Sequence, residues 1–342
     1  MSRWSRLVLS ACLALSPLLA TAADPCPLLR AQVQATDPAT RLAAVACEEH
    51  QLWHRPFIDV DGRYAGSTVR EAETALLTNG EQAWRRVAGY WLGAGLLPRL
   101  QHRPGAGDCA YAGYGGTPSA ACRAFLVDVP WSAAFVSWSA RRAALPGFDG
   151  SPSHVDYVRD AYRNPETSAY RVADPATARP ARGDMMCYVR AANRVFGFPG
   201  LATLLSSEDG GLGMHCDIVV AAAGEGVAAA YLVGGNVLDG VTMRMLPLST
   251  GGRFAALPAR TLDDAPCTPD NPAACNANRQ DWAVLLQLRP AQDLAQLRPA
   301  PPIVAATPPA PLLPTPGQAP GQPSAPMCCV ECSVGDGLPR CP

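Results

Sequence analysis

The chain of 342 residues contains no lysine; all 28 basic residues are arginine. That absence removes whole chemistries. No Schiff base, no pyridoxal-phosphate lysine, no phosphate-loop lysine and no serine–lysine dyad can operate here. Excess charge is also missing. The formal net charge is -1, which gives no electrostatic case for nucleic acid as a partner. After the first 22 residues no apolar run is long enough to cross a bilayer. The Gly210-Gly211-Leu212-Gly213 stretch has no helix pattern after it, so it lacks what a phosphate loop needs. His50, His54 and His102 show no metal-ligand spacing. The sequence therefore calls for no cofactor and no metal.

What is present points to export. Arg3 and Arg6 precede an apolar run over residues 7–20, and Ala20-Thr21-Ala22 offers small residues for cleavage. Residues 1–22 are expected to be a signal peptide. The rival is a lipoprotein signal at Leu9-Ser10-Ala11-Cys12. The 13 cysteines agree with an oxidising compartment, periplasmic or extracellular. With Cys12 set aside, their spacing suggests Cys26 with Cys47, Cys109 with Cys122, and Cys267 with Cys275. Cys187 and Cys216 remain as a pair. Cys328, Cys329, Cys332 and Cys341 are expected to form two disulfides in a small knob, a metal site being the less expected alternative in an exported chain.

Five regions are expected. Residues 23–125 follow the signal as a mainly helical region with a disulfide loop. Helical spacing runs over residues 69–77 and 82–92. Closing the loop between Cys109 and Cys122 is worth about 3 kcal/mol in the chain-entropy account. Residues 126–289 hold short apolar or alternating runs at 185–190, 216–221, 228–233, 242–248 and 282–288, split by Gly and Pro. These read as strands. Helices first and strands afterwards indicate an α+β fold with a small antiparallel sheet. Residues 290–326 are Pro-rich and read as an extended linker. Residues 327–342 form the Cys-rich tail.

Four segments carry the chemistry. Pro130-Trp131-Ser132-Ala133-Ala134-Phe135-Val136 reads as a helix start. Backbone N–H groups there are unpaired and partly positive, so they suit an oxyanion. Gly183-Asp184-Met185-Met186-Cys187-Tyr188 and Met214-His215-Cys216-Asp217-Ile218-Val219-Val220 read as strands. Gly234-Gly235-Asn236-Val237 reads as a strand end. In an extended strand His215 and Asp217 share one face and Cys216 takes the other.

This order of segments resembles the NlpC-type and CHAP amidase–peptidase superfamily, with its papain-like fold. It is most similar to a secreted bacterial branch of unknown function that also carries a segment like Ser153-His154-Val155-Asp156-Tyr157. The resemblance covers residues 127–242. It implies a nucleophile at Ser132, a base at His215 and an orienting residue at Asn236. The superfamily has cysteine where this chain has Ser132. A helix dipole contributes about 0.3–1 kcal/mol, up to ~2. That aids a thiol but cannot make an alkoxide at neutral pH. Serine needs direct proton transfer to a histidine. Cys187 is an alternative nucleophile if it is not in a disulfide with Cys216.

Other residues carry two readings each. Arg190 is either a surface arginine or a bidentate holder of a substrate carboxylate. His154 is either a structural residue near a helix cap or part of a substrate rim with Asp156 and Tyr157. Trp131 is either core or a wall of the cleft. The resemblance, with the export signal, implies an amide hydrolase acting on peptidoglycan or other cell-wall peptides. The alternative is a non-catalytic cell-wall or protein-binding module, which the serine, the linker and the Cys-rich tail would suit. Oligomeric state is not legible.

Overall fold

The computed structural model describes residues 24–305 apart from 68, 72–73, 113–119, 208–209 and 223–227. It also describes the backbone of 333–335 and 338–340. The expected signal peptide, most of the Pro-rich segment and all four tail cysteines lie outside the described residues. The chain divides into two units, 1–307 and 308–342. In the second, Ser333–Gly335 pairs antiparallel with Leu338–Arg340.

The first unit begins with α1 (Cys26–Leu29) and α2 (Pro38–Leu52). The sequence sets the start of α2 in two ways. Pro38 stands in its first turn, and Asp37 accepts from the Thr40 N–H at 2.9 Å. Two short strands follow, β1 (Phe57–Ile58) and β2 (Tyr64–Ala65). Next come α3 (Ala83–Gly93), α4 (Ala106–Cys109), α5 (Ala120–Asp128), α6 (Ser132–Arg142) and α7 (His154–Arg163). Then come β3 (Tyr170–Ala173), β4 (Met185–Val189), α8 (Gly197–Ser207), β5 (Met214–Ala221), β6 (Ala229–Val237), β7 (Gly240–Pro247) and β8 (Asp281–Leu288). The unit ends with α9 (Ala291–Leu294).

The fold is α+β, as expected, but the sheet is not small. Eight strands lie in the order β2-β1-β7-β6-β5-β4-β8-β3. It is mixed rather than antiparallel, because β1 runs parallel to β7. Strands β1 and β2 have two residues each, too few to show a period of two. Residues 69–71 and 74–77 are not helical; Leu76 instead bridges to Gln82. Residues 291–304 were expected in an extended linker, yet they lie on this unit. Leu294 is buried, and the Val304 N–H donates to Gly93 O.

Strands β4 and β5 are buried at every position. The reason is that both faces of the sheet are covered. On one face α2, α3, α6 and α7 pack with Trp53, Trp84, Trp91, Trp131 and Phe135. On the other, Tyr188, Val219, Leu232, Leu246 and Leu285 meet Phe254 and Trp282. Four disulfides tie the unit together: Cys26–Cys47, Cys109–Cys122, Cys187–Cys216 and Cys267–Cys275. Cys187 and Cys216 are cross-strand partners on β4 and β5, so Cys187 is not a free thiol. Among the described residues no helix is long and apolar enough to cross a membrane.

Candidate active site

Ser132 is the first residue of α6, an eleven-residue helix whose cap position, Trp131, makes no side-chain cap bond. The backbone N–H groups of Ser132, Ala133 and Ala134 therefore have no partner within the helix. Ser132 Oγ lies 2.7 Å from His154 Nε2. The expected partner, His215, does not hold it. His154 opens α7, and its other ring nitrogen, Nδ1, meets the Tyr157 hydroxyl one turn on. For Ser132 to donate to Nε2, Nδ1 must carry the proton and donate to the Tyr157 oxygen.

The sequence builds this pairing through the connection between α6 and α7. Ser137 Oγ accepts from the Ser151 N–H at 3.0 Å and donates to Ser151 O at 3.1 Å. Gly150 permits that approach, since a Cβ there would stand 2.9 Å from Ser137 Cβ. Ser151 Oγ accepts from the Ser153 N–H and donates to Asp156. These bonds set the first turn of α7 and aim His154 back at Ser132.

His215 sits beside this pair, its ring centroid 5.3 Å from that of His154 and 5.1 Å from that of Tyr188. Its Nε2 lies 2.7 Å from Asp217 Oδ1. A carboxylate only accepts, so Nε2 carries a proton and Nδ1 is left without a partner. Asp217 Oδ2 takes Arg244 Nε at 3.1 Å, and Arg244 also reaches Asn278. Burial opposes ionisation of Asp217, but His215 and Arg244 together outweigh it and hold the carboxyl at about 2. Burial, then the neighbouring His215, push His154 well below the usual imidazole range, with Arg190 adding to the effect. His154 is thus neutral at neutral pH, as a base must be.

Asn236 was expected to orient His215; Asp217 does that instead. In the amide orientation that satisfies both neighbours, the Asn236 oxygen accepts from the Trp131 N–H at 3.1 Å and its nitrogen donates to Glu71 Oε2 at 3.1 Å. Glu71 also takes the Trp131 indole N–H. Burial pushes the Glu71 carboxyl up to about 7, against that indole bond. Asn236 therefore clamps the residue before Ser132. The two glycines ahead of it each clear one face of the sheet. A Cβ on Gly234 would stand 1.8 Å from Asp217 Oδ1, and one on Gly235 would stand 2.5 Å from Phe135.

Trp131 is not a wall of a cleft. It is fully buried, stacked on Trp53 and Tyr90 at 5.7 and 5.5 Å. Tyr157 is not a rim residue either; it is buried and engaged by His154. Arg190 is exposed, just past the end of β4. Cys216 points to the helical face, away from His215. Asp184, in the Gly-Asp motif, is structural. It accepts from the N–H groups of Leu288 and Ala181 at 2.8 Å each, joining β4 to β8. Glu71, Ser137 and Ser151 were missed by sequence reasoning. Only the Ser-Pro-Ser-His run around His154 hinted at a helix start.

The fold and site define an α+β protein of disulfide-bonded type, with a buried serine–histidine pair at a helix start beside a His–Asp–Arg chain. Residues 78–288 match the model of a family described as an uncharacterized protein conserved in bacteria (DUF2272), and the chain belongs to that family. The match runs from before α3 to the end of β8, and it includes every residue of the site named above except Glu71 and Trp53. No curated protein and no solved structure matches the chain.

Proposed function

We propose that this protein is an exported hydrolase of amide bonds, acting in the periplasm or outside the cell on peptidoglycan stem peptides. The observation that carries the reading is the 2.7 Å approach of Ser132 Oγ to His154 Nε2 at the first turn of α6. In this reaction His154 takes the Ser132 proton as Oγ attacks the amide carbonyl. The N–H groups of the first turn of α6 lie close to where the oxyanion forms. The imidazolium then gives its proton to the leaving amine; in the second half His154 takes a proton from water as its oxygen attacks the acyl carbon, and returns it to Ser132 Oγ as the acid leaves. Tyr157 keeps the ring in the competent tautomer. The order of the Trp131 helix, the His215 strand and the Asn236 strand end resembles papain-like amidases, and this supports amide chemistry. Four disulfides support an oxidising compartment.

A second reading has its own observation. Ser132, His154 and His215 are exposed at only 4%, 3% and 1%. Such burial favours a non-catalytic binding module built on the same scaffold. Incubation of mature protein with purified sacculi, followed by mass spectrometry of the soluble fraction, separates the two. The hydrolase reading expects peptide fragments from the wild-type protein and none from Ser132→Ala or His154→Ala with folding intact. Binding to sacculi without release by the wild-type protein would favour the module.

A further inference from the structure

One charge beside the site has no use in the reaction just described. Tyr188 on β4 faces His215 across the β4–β5 pair. Alternation along a strand puts Arg190 on the same face as Tyr188, about 6–7 Å further along. The Arg190 N–H donates to Gly213 O at 2.8 Å, so the ladder continues one step beyond the Val189–Met214 pair. Arg190 therefore leaves the sheet on the face of His215, at the end where Asn236 meets the residue before Ser132.

Its guanidinium makes no ion pair or hydrogen bond with a described residue, and the residue is exposed. Four other arginines of this unit are tied to carboxylates: Arg86 to Glu49, Arg142 to Glu48, Arg159 to Asp156 and Arg244 to Asp217. Among the described residues no acid near the site balances Arg190. Asp217 has both oxygens engaged, by His215 and Arg244. Glu71 is held by Trp131 and Asn236, and its carboxyl is pushed up to about 7 by burial. The described residues thus leave the site short of negative charge, and a fork-shaped cation stands at its edge.

We infer that Arg190 is a carboxylate anchor, and that the substrate carries a free carboxylate close to the amide that Ser132 attacks. The inference rests on the hydrolase reading and narrows its substrates. A guanidinium takes a carboxylate through two parallel N–H···O bonds, which fixes orientation as well as position. A carboxylate seated there would place the neighbouring amide toward Ser132. The same chemistry is offered by a terminal α-carboxylate and by an acidic side chain beside the scissile bond.

Calorimetric titration of mature Ser132→Ala protein tests this without turnover. The probes are acetyl-D-alanyl-D-alanine, its C-terminal amide, and acetyl-D-alanyl-D-glutamic acid α-amide. At least one acid should bind about tenfold or more tightly than the neutral amide, and that preference should fall to within about twofold when Arg190→Gln is added. Whichever acid is preferred identifies the terminal or the side-chain source. Equal binding of all three probes, no binding by any, or a preference that survives Arg190→Gln would overturn the anchor. If the preference holds but the wild-type protein cleaves no peptide, the hydrolase reading fails and the anchor stands.

Discussion

Replacing Asp217 by Asn would unbalance a charge chain with no access to water. Asp217 and Arg244 are exposed at 1% and 3%. Asp217 accepts from His215 at 2.7 Å and from Arg244 at 3.1 Å. Holding its carboxyl at about 2 rather than 3.8 corresponds to about 2–3 kcal/mol of net stabilisation at neutral pH. The variant also leaves the Arg244 charge buried and unpaired, so the total loss should approach about 3–5 kcal/mol. With a urea slope of about 3 kcal/mol/M, the unfolding midpoint should fall by about 1–2 M. The pH dependence has a definite sign. The folded value lies below the unfolded one, so the contribution is complete above pH 4 and disappears as pH falls from about 4 to 2. Urea melts at pH 7 and at intervals down to pH 2, with disulfides intact, measure both effects. A midpoint within about 0.2 M of wild type at pH 7, or a gap that persists unchanged to pH 2, would refute the reasoning. Changing Asp217 and Arg244 together to apolar residues should recover much of the loss.

Gly234→Ala should cost about 3 kcal/mol or more, because its Cβ would sit 1.8 Å from Asp217 Oδ1 and break the bond to His215; thermal melts within about 2 °C of wild type would count against this geometry. Tyr157→Phe should leave the fold intact, since the ring still packs on Phe148 at 5.3 Å, while kcat drops about 10- to 100-fold through loss of the tautomer lock on His154; an unchanged kcat would remove Tyr157 from the account. Since burial holds His154 below the usual imidazole range, kcat/KM should stay level from pH 8 down through pH 6.5 and fall only at lower pH. A profile that already falls between pH 8 and 7 would assign the base elsewhere.

The strand half of the fold was readable in the sequence because β4 to β8 are long enough to show apolar runs closed by Gly or Pro. Strands β1 and β2 were not, being two residues each, and their place in the sheet comes from pairing with β7. Residues 69–77 have helical spacing, yet Glu71 there is drawn to Trp131 and Asn236. Tertiary contacts override a weak local preference. In the site, Ser132 at a helix start and the shared face of His215 and Asp217 follow from local periodicity. The partner of Ser132 does not. It depends on a residue 22 positions further along being folded back through Ser137 and Ser151, which no local pattern announces. Likewise Gly234-Gly235-Asn236 signals a strand end, but not that each glycine clears one face.

The central claim is that His154 activates Ser132. Labelling with a fluorophosphonate, followed by intact mass and peptide mapping, tests it most directly. The account predicts one adduct, on Ser132, with a rate that falls about 100-fold or more in His154→Ala. A wild-type protein that takes no label, or a His154→Ala variant labelled on Ser132 at the wild-type rate, would contradict it.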